Sequence, residues 1–152
     1  MPRIDEVFTP HTARSVGLER YTSGNVAYIT NGLRDNGIVG FVKPKPRDKV
    51  FNRVGIVLSA FCEATVQIPP FVARGNGGSG LMVLEPKEPL TADQLGFIAA
   101  YINTFVSWRF SWYRQASVER IRRIQIPDPQ SSSGEFAVAK LLPAQPNGPG
   151  RK

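Results

Sequence analysis

"LMVLEPKEPLTADQLGFIAAYINTFVS", Leu81 to Ser107, holds the transition from strand to helix on which the fold turns. Residues 81–85 are apolar and run into Pro86, which has no N–H to give a ladder and suits the end of a strand. Five residues on, Thr91 and Gln94 have the spacing of a capping box, in which each side chain accepts the other's free backbone N–H. From there Leu95, Ile98, Ala99, Ile102, Phe105 and Val106 recur at 3.6-residue spacing on one face. The spacing predicts a single amphipathic helix over 91–107, with a stripe that is core and not a cofactor pocket.

Upstream of this stretch the pattern is one of strands. Alternation and β-branched content mark 25–30, 37–42, 53–59, 64–68 and 71–73, which are short and closely spaced. Such spacing suits an antiparallel or mixed sheet and not a doubly wound one. "RGNGGSG" (74–80) connects two of the strands. It lacks the Gly-Lys-Ser/Thr ending and following helix of a phosphate-binding loop, so it reads as a flexible connection. Downstream, in "WRFSWYR", Trp108, Phe110 and Trp112 alternate with Arg109, Ser111 and Tyr113, a strand-like segment with its aromatics on one side. Ser117 caps a short helix over 118–123, and the prolines of "IQIPDP" end regular structure. The fold class expected is α/β of the α+β kind: a mixed or antiparallel sheet of short strands, one main amphipathic helix and a short C-terminal helix. One domain is expected over 1–129, and a Ser/Pro/Gly-rich, mostly disordered tail over 130–152.

The chain has 152 residues, 41% of them hydrophobic, which is enough for one well-filled core. No run has the length and apolar character of a membrane span, and the N-terminal residues do not resemble a signal peptide, so a cytoplasmic protein with no membrane partner is expected. Cys62 has no second cysteine to pair with, and with His11 as the single histidine no zinc-ligand set exists. His11 lies in a polar segment and reads as a surface residue, which leaves Ser-His-Asp and Cys-His chemistry without a base. Glu85 and Lys87 have the E-x-K spacing of some metal-dependent nucleases, but Pro86 stands between them and no partner Asp precedes them in a strand. No catalytic residue, metal or cofactor is expected.

Charge points elsewhere. The formal net charge is +7, and two stretches hold most of the cations: six Lys or Arg between Arg34 and Arg53, and five Arg between Arg109 and Arg123. A field of this kind attracts polyanions. Lys43, Lys45, Arg47, Lys49 and Arg53 surround a turn broken by Pro44 and Pro46, a loop able to follow phosphates, or equally an ordinary solvated hairpin. Arg34 and Asn36 have side chains that pair with guanine and adenine edges, although Asn36-Gly37 also reads simply as a turn. Arg109, Tyr113 and Arg114 combine aromatic and basic character, and Arg74 heads the glycine-rich loop. These eleven residues are the candidate DNA-binding set.

The order of these motifs resembles a target recognition domain of restriction-modification DNA specificity subunits, found in type I systems and in related type II fusion enzymes. The matching landmarks are "G-x-x-x-Y-I-T" (24–30), "N-G-I-x-G" (36–40), "F-x-A" (71–73), "V-L-x-P-K" (83–87), "F-S-x-x-R" (110–114) and "I-x-I-P-x-P" (124–129). Together they cover about residues 5–129. The resemblance implies a compact, non-catalytic domain that recognises half of a bipartite site in double-stranded DNA through the major groove. It implies that Asn36, Gly37, Ile38 and Gly40 are structural, and that the flanking loops 30–36 and 43–53 contact DNA. It also implies association with a methyltransferase or restriction subunit. The chain departs from the pattern at Tyr113, where the family usually has Gly, and after 129, where a Ser/Pro-rich segment replaces the long spacer helix. The alternative is a phage- or mobile-element-type protein that keeps the fold but binds a host or restriction-system protein. The two basic stretches should share one face if both touch DNA.

Overall fold

The computed structural model describes residues 1–75, 80–110 and 114–130. The expected tail, the middle of the glycine-rich loop, and Ser111, Trp112 and Tyr113 lie outside the described residues. In chain order the strands are β1 (Phe8–Thr12), β2 (Ser23–Ile29), β3 (Ile38–Val42), β4 (Gly55–Leu58), β5 (Ala64–Gln67), β6 (Phe71–Ala73) and β7 (Met82–Pro86). The helices are α1 (Ile4–Val7), α2 (Ala92–Tyr101) and α3 (Val118–Ile121). A four-stranded antiparallel sheet has the order β1-β7-β4-β5, and a three-stranded sheet the order β3-β2-β6, with β2 and β6 parallel.

The layering follows from side-chain alternation. In β4, Ile56 and Leu58 point to one side and Val57 to the other; in β7, Met82 and Leu84 oppose Val83. Ile56, Leu58, Met82 and Leu84 pack beneath Leu95, Ile98, Ile102 and Val106 from the helix, together with Phe110, Ile121 and Ile126. Val57 and Val83 instead meet Ala27, Ile29, Phe71 and Ala73 of the small sheet. The central strands are therefore buried on both faces, which is why they read as continuous apolar runs. Tyr28, Val42 and Val72 form a third apolar cluster, covered in part by Tyr21, Val26 and Val50.

The capping box at α2 is formed: Gln94 N donates to Thr91 Oγ1 at 3.1 Å and Thr91 N to Gln94 Oε1 at 2.9 Å. The expected single helix over 91–107 changes pitch at its end, passing into a π-turn over Ile102–Val106 and a 3-10 turn over Ser107–Arg109. Asn103 accompanies this change. Its Oδ1 accepts from Ala64 N at 2.7 Å and its Nδ2 donates to Ala64 O at 2.9 Å, binding the turn to the head of β5. The wider pitch leaves Phe105 only half-buried. It also corrects the strand-like reading of the aromatic segment at its start, Trp108 and Arg109. Trp108 continues the helical path and is 75% exposed, its indole N–H donating to Phe105 O at 2.9 Å, while Phe110 is buried.

Two further expectations change at the N-terminus. β1 is a strand that alternation did not reveal, because as an edge strand it tolerates Pro10 and carries polar residues. His11 lies within it, half-buried, its ring edge-on to Phe51 and its Nε2 3.4 Å from Glu85 Oε1. The Ile124 to Pro129 stretch returns alongside the N-terminus, with Ile4 N bonded to Ile124 O and Ile126 N to Pro2 O.

Candidate nucleic-acid interface

The basic loop after β3 is built, not loose. Lys43 N donates to Thr22 O at one end, and at the other Phe51 and Phe71 exchange both backbone bonds. Between these anchors Asp48 collects three donors: Tyr21 Oη at 2.8 Å, Ser15 Oγ at 3.0 Å and Lys45 N at 2.7 Å. Burial holds the Tyr21 phenol above its ordinary range, with the Asp48 carboxylate adding to the rise and the Ser15 bond opposing it. The ring therefore stays a protonated donor. Val50 packs on the outer apolar cluster, so the loop lies over the outer face of the three-stranded sheet. The Asp48 charge is engaged inward, while Lys43, Lys45, Arg47 and Lys49 are all exposed.

Arg47 and Lys49 face a strand the sequence did not reveal. With Arg14, Pro10, His11, Thr12 and Asp48 they line an open cleft of about 470 Å³. Arg14 is the residue sequence reasoning missed; its signal was its place just beyond a strand masked by proline and histidine. The Lys49 ammonium sits over the Phe51 ring at 5.8 Å and that of Lys45 over Tyr21 at 5.3 Å, which fixes the stems while leaving the charges outward. Arg74 joins this region through Ser15, with which it forms a bridge, and its charge opposes the burial that raises the Tyr28 phenol.

The other flank of the hairpin is its tip. Asp35, Asn36 and Gly37 take positive φ in succession (52°, 56° and 78°), which suits an Asp-Asn-Gly sequence. Asn36 is held on both sides: its Nδ2 donates to Val66 O at 2.8 Å and its carbonyl accepts from buried Gln67 Nε2 at 2.6 Å. That geometry gives the turn, and it leaves the Asn36 amide aimed at β5. Arg34 stands exposed on the same tip. The tip and Lys43 lie at opposite ends of the five-residue β3, roughly 17 Å apart at strand rise.

The two basic stretches are not brought together. Arg109 follows the helix and packs with the helix layer, across the four-stranded sheet from the small sheet. With Arg3, Tyr101, Arg120 and Arg123 it lines a second open cleft of about 470 Å³. Arg114 is exposed, and Arg53, two residues before β4, donates from Nη1 to Pro86 O at 3.3 Å. Among the described residues no group of three or more His, Cys, Asp or Glu side chains is placed to hold a metal ion. Glu85 meets His11, and Lys87 donates its backbone N–H to Val7 O. No helix among the described residues is long and apolar enough to cross a membrane.

No family model and no curated protein matches this sequence. Solved structures do match its fold. The type I restriction-modification S subunit from M. genitalium superimposes with a TM-score of 0.61 at 13% identity, over 91% of this chain and 37% of that one. The HsdS subunit from Thermoanaerobacter tengcongensis gives 0.62 at 18% identity, over 92% and 35%. A third chain, from a structure concerned with complex assembly and conformational transition of the type I R-M system, gives 0.60 at 20% identity, over 91% and 36%. The chain thus spans little more than a third of the length of these proteins. At this identity the likeness is one of fold, and the target-recognition-domain-like fold implied by the motif order is the fold the chain has.

Proposed function

We propose that this chain is a non-catalytic module that recognises double-stranded DNA, working as the recognition portion of a restriction-modification specificity subunit. The observation that carries the reading is the Asp48-braced loop, which holds Lys45, Arg47 and Lys49 outward, with Arg47 and Lys49 sharing the cleft beside β1 with Arg14. Three or four cations fixed on one surface suit phosphate contacts, which set position. Arg34 on the hairpin tip is the base-reading residue, since its fork can pair with a guanine edge. The roughly 17 Å between tip and loop spans about five nucleotides at 3.4 Å per step, enough for one short half-site. Asn36 shares the hairpin tip with Arg34 and Arg74 meets the region through Ser15, whereas Arg109 lines the other cleft. The fold likeness to S subunits supports the same role, and association with a methyltransferase or restriction subunit belongs to the proposal.

The test is fluorescence anisotropy with random and selected duplexes across a salt series. Four phosphate contacts predict a log-log salt slope of about −3.6, and reading predicts a preferred duplex above that background. Absence of duplex binding at about 50 mM salt overturns the proposal.

A further inference from the structure

We infer that the second basic cleft, on the helix layer, is a docking site for an acidic protein segment that carries an apolar side chain among its carboxylates. Arg3, Arg109, Arg120 and Arg123 line it with Tyr101, and no carboxylate residue lines it. Two of these arginines are fixed by the fold: Arg3 Nε lies 3.0 Å from Asp5 Oδ1, and Arg120 Nη1 donates to Gln115 O at 2.7 Å. The second bond orients a guanidinium without neutralising it. Among the described residues Arg123 has no hydrogen bond or ion pair, and the guanidinium of Arg109 rests 5.8 Å over the Trp108 ring.

Trp108 decides the class of partner. Its indole N–H is already satisfied by Phe105 O, so the ring is held in place while three quarters of it faces solvent. An intact duplex has its bases stacked and paired and offers such a ring no face. A protein segment uses both features: carboxylates take the arginine forks in bidentate pairs, and an apolar side chain covers the indole. Trp, Tyr and Arg are the residue types in which binding energy concentrates at protein interfaces. The inference does not depend on the loop face binding DNA.

The test uses the full chain with Trp112→Phe, so that emission reports Trp108, and a fluorescein-labelled peptide of repeated Glu-Glu-Leu as probe. Saturable binding with a change in Trp108 emission is expected, weakened about tenfold or more by Arg109→Gln with Arg123→Gln and unaffected by Arg47→Gln with Lys49→Gln. A Glu-Glu-Ala peptide should bind less tightly, and Trp108→Ala should erase that difference. A duplex should not displace the peptide. Equal binding by the Arg109→Gln/Arg123→Gln variant, with its circular dichroism unchanged, overturns the inference. So does tighter binding of a single-stranded oligonucleotide with the same dependence on Arg109 and Trp108, which would make nucleic acid the occupant. Loss of duplex binding alone would overturn the proposed function and leave this cleft assigned.

Discussion

Replacing Asp48 by Asn separates charge from geometry, because the two predict opposite effects on DNA binding. The carboxylate accepts Tyr21 Oη and Ser15 Oγ on Oδ1 and Lys45 N on Oδ2. An asparagine can keep one oxygen facing Tyr21 and Ser15, but its NH2 then faces the Lys45 N–H, donor against donor. Hydrogen bonds to a charged acceptor contribute about 1.5–3 kcal/mol each when the donors are buried. Ser15 is buried and Tyr21 half-buried, whereas Lys45 N reaches water once freed. The cost is therefore about 2 kcal/mol, which for a chain of this size lowers Tm by about 4–8 °C. The substitution also adds one positive charge to the loop. If charge alone governed binding, the variant would hold duplexes more tightly. If the braced loop positions Lys45, Arg47 and Lys49, affinity should fall about tenfold, or about 1.4 kcal/mol, at about 0.1 M salt. Differential scanning calorimetry and anisotropy titrations on the same preparations decide it. An unchanged Tm together with equal or tighter duplex binding would refute the reasoning.

Arg47→Ala should weaken all duplexes alike and bring the salt slope about one unit nearer zero, while Arg34→Ala should flatten the preference between selected and random duplexes; a uniform loss for Arg34→Ala removes it from base reading. Gly24→Ala would place a Cβ 2.4 Å from Val42 C and Lys43 N, both backbone, at the irregularity where β2 meets β3. A loss of more than about 2 kcal/mol is expected from the urea midpoint, and a neutral result would show that the strands part easily there. Burial pushes the Cys62 thiol up from 9.0 to about 12, against a smaller lowering by Arg109. The folded state thus favours the neutral thiol: its contribution is complete below about pH 9 and is lost as pH rises from there towards 12. Iodoacetamide at pH 8 should leave the native chain unmodified and label it in urea; native labelling at the rate of free cysteine would contradict the burial.

The fold was legible where periodicity was strong. Ile56, Val57, Leu58 and Met82, Val83, Leu84 announced strands, whose burial on both faces the structure then revealed, and Thr91 with Gln94 marked the helix start to the residue. What escaped had physical causes. β1 was hidden because an edge strand needs little apolar alternation, and the end of the helix because the bonds from Asn103 to Ala64 are set by a partner 39 residues away. Trp108 was misplaced because period-2 reading cannot tell a strand from a helical end when both carry alternate aromatics. At the candidate site the cations of the loop were visible, but their brace was not. Tyr21, Ser15 and Asp48 are distant in sequence and ordinary in type, and their meaning lies in convergence.

The separation of the two arginine-bearing regions follows from the same layering that makes the core. Because β4 and β7 are buried on both faces, the described apolar residues after α2, from Ile102 to Ile126, pack on one side of the large sheet and those of the β2-β3 hairpin on the other. The net charge of +7 therefore does not describe one polyanion surface, and a salt slope calculated from all the cations of 34–53 and 109–123 would be more than double the one expected from Arg14, Lys45, Arg47 and Lys49. A measured slope near −3.6 that survives Arg109→Gln with Arg123→Gln, and collapses with Arg47→Gln and Lys49→Gln, is the signature of a domain that gives one face to nucleic acid. The reverse pattern would assign the duplex to the helix layer and leave the braced loop as a feature of the fold alone.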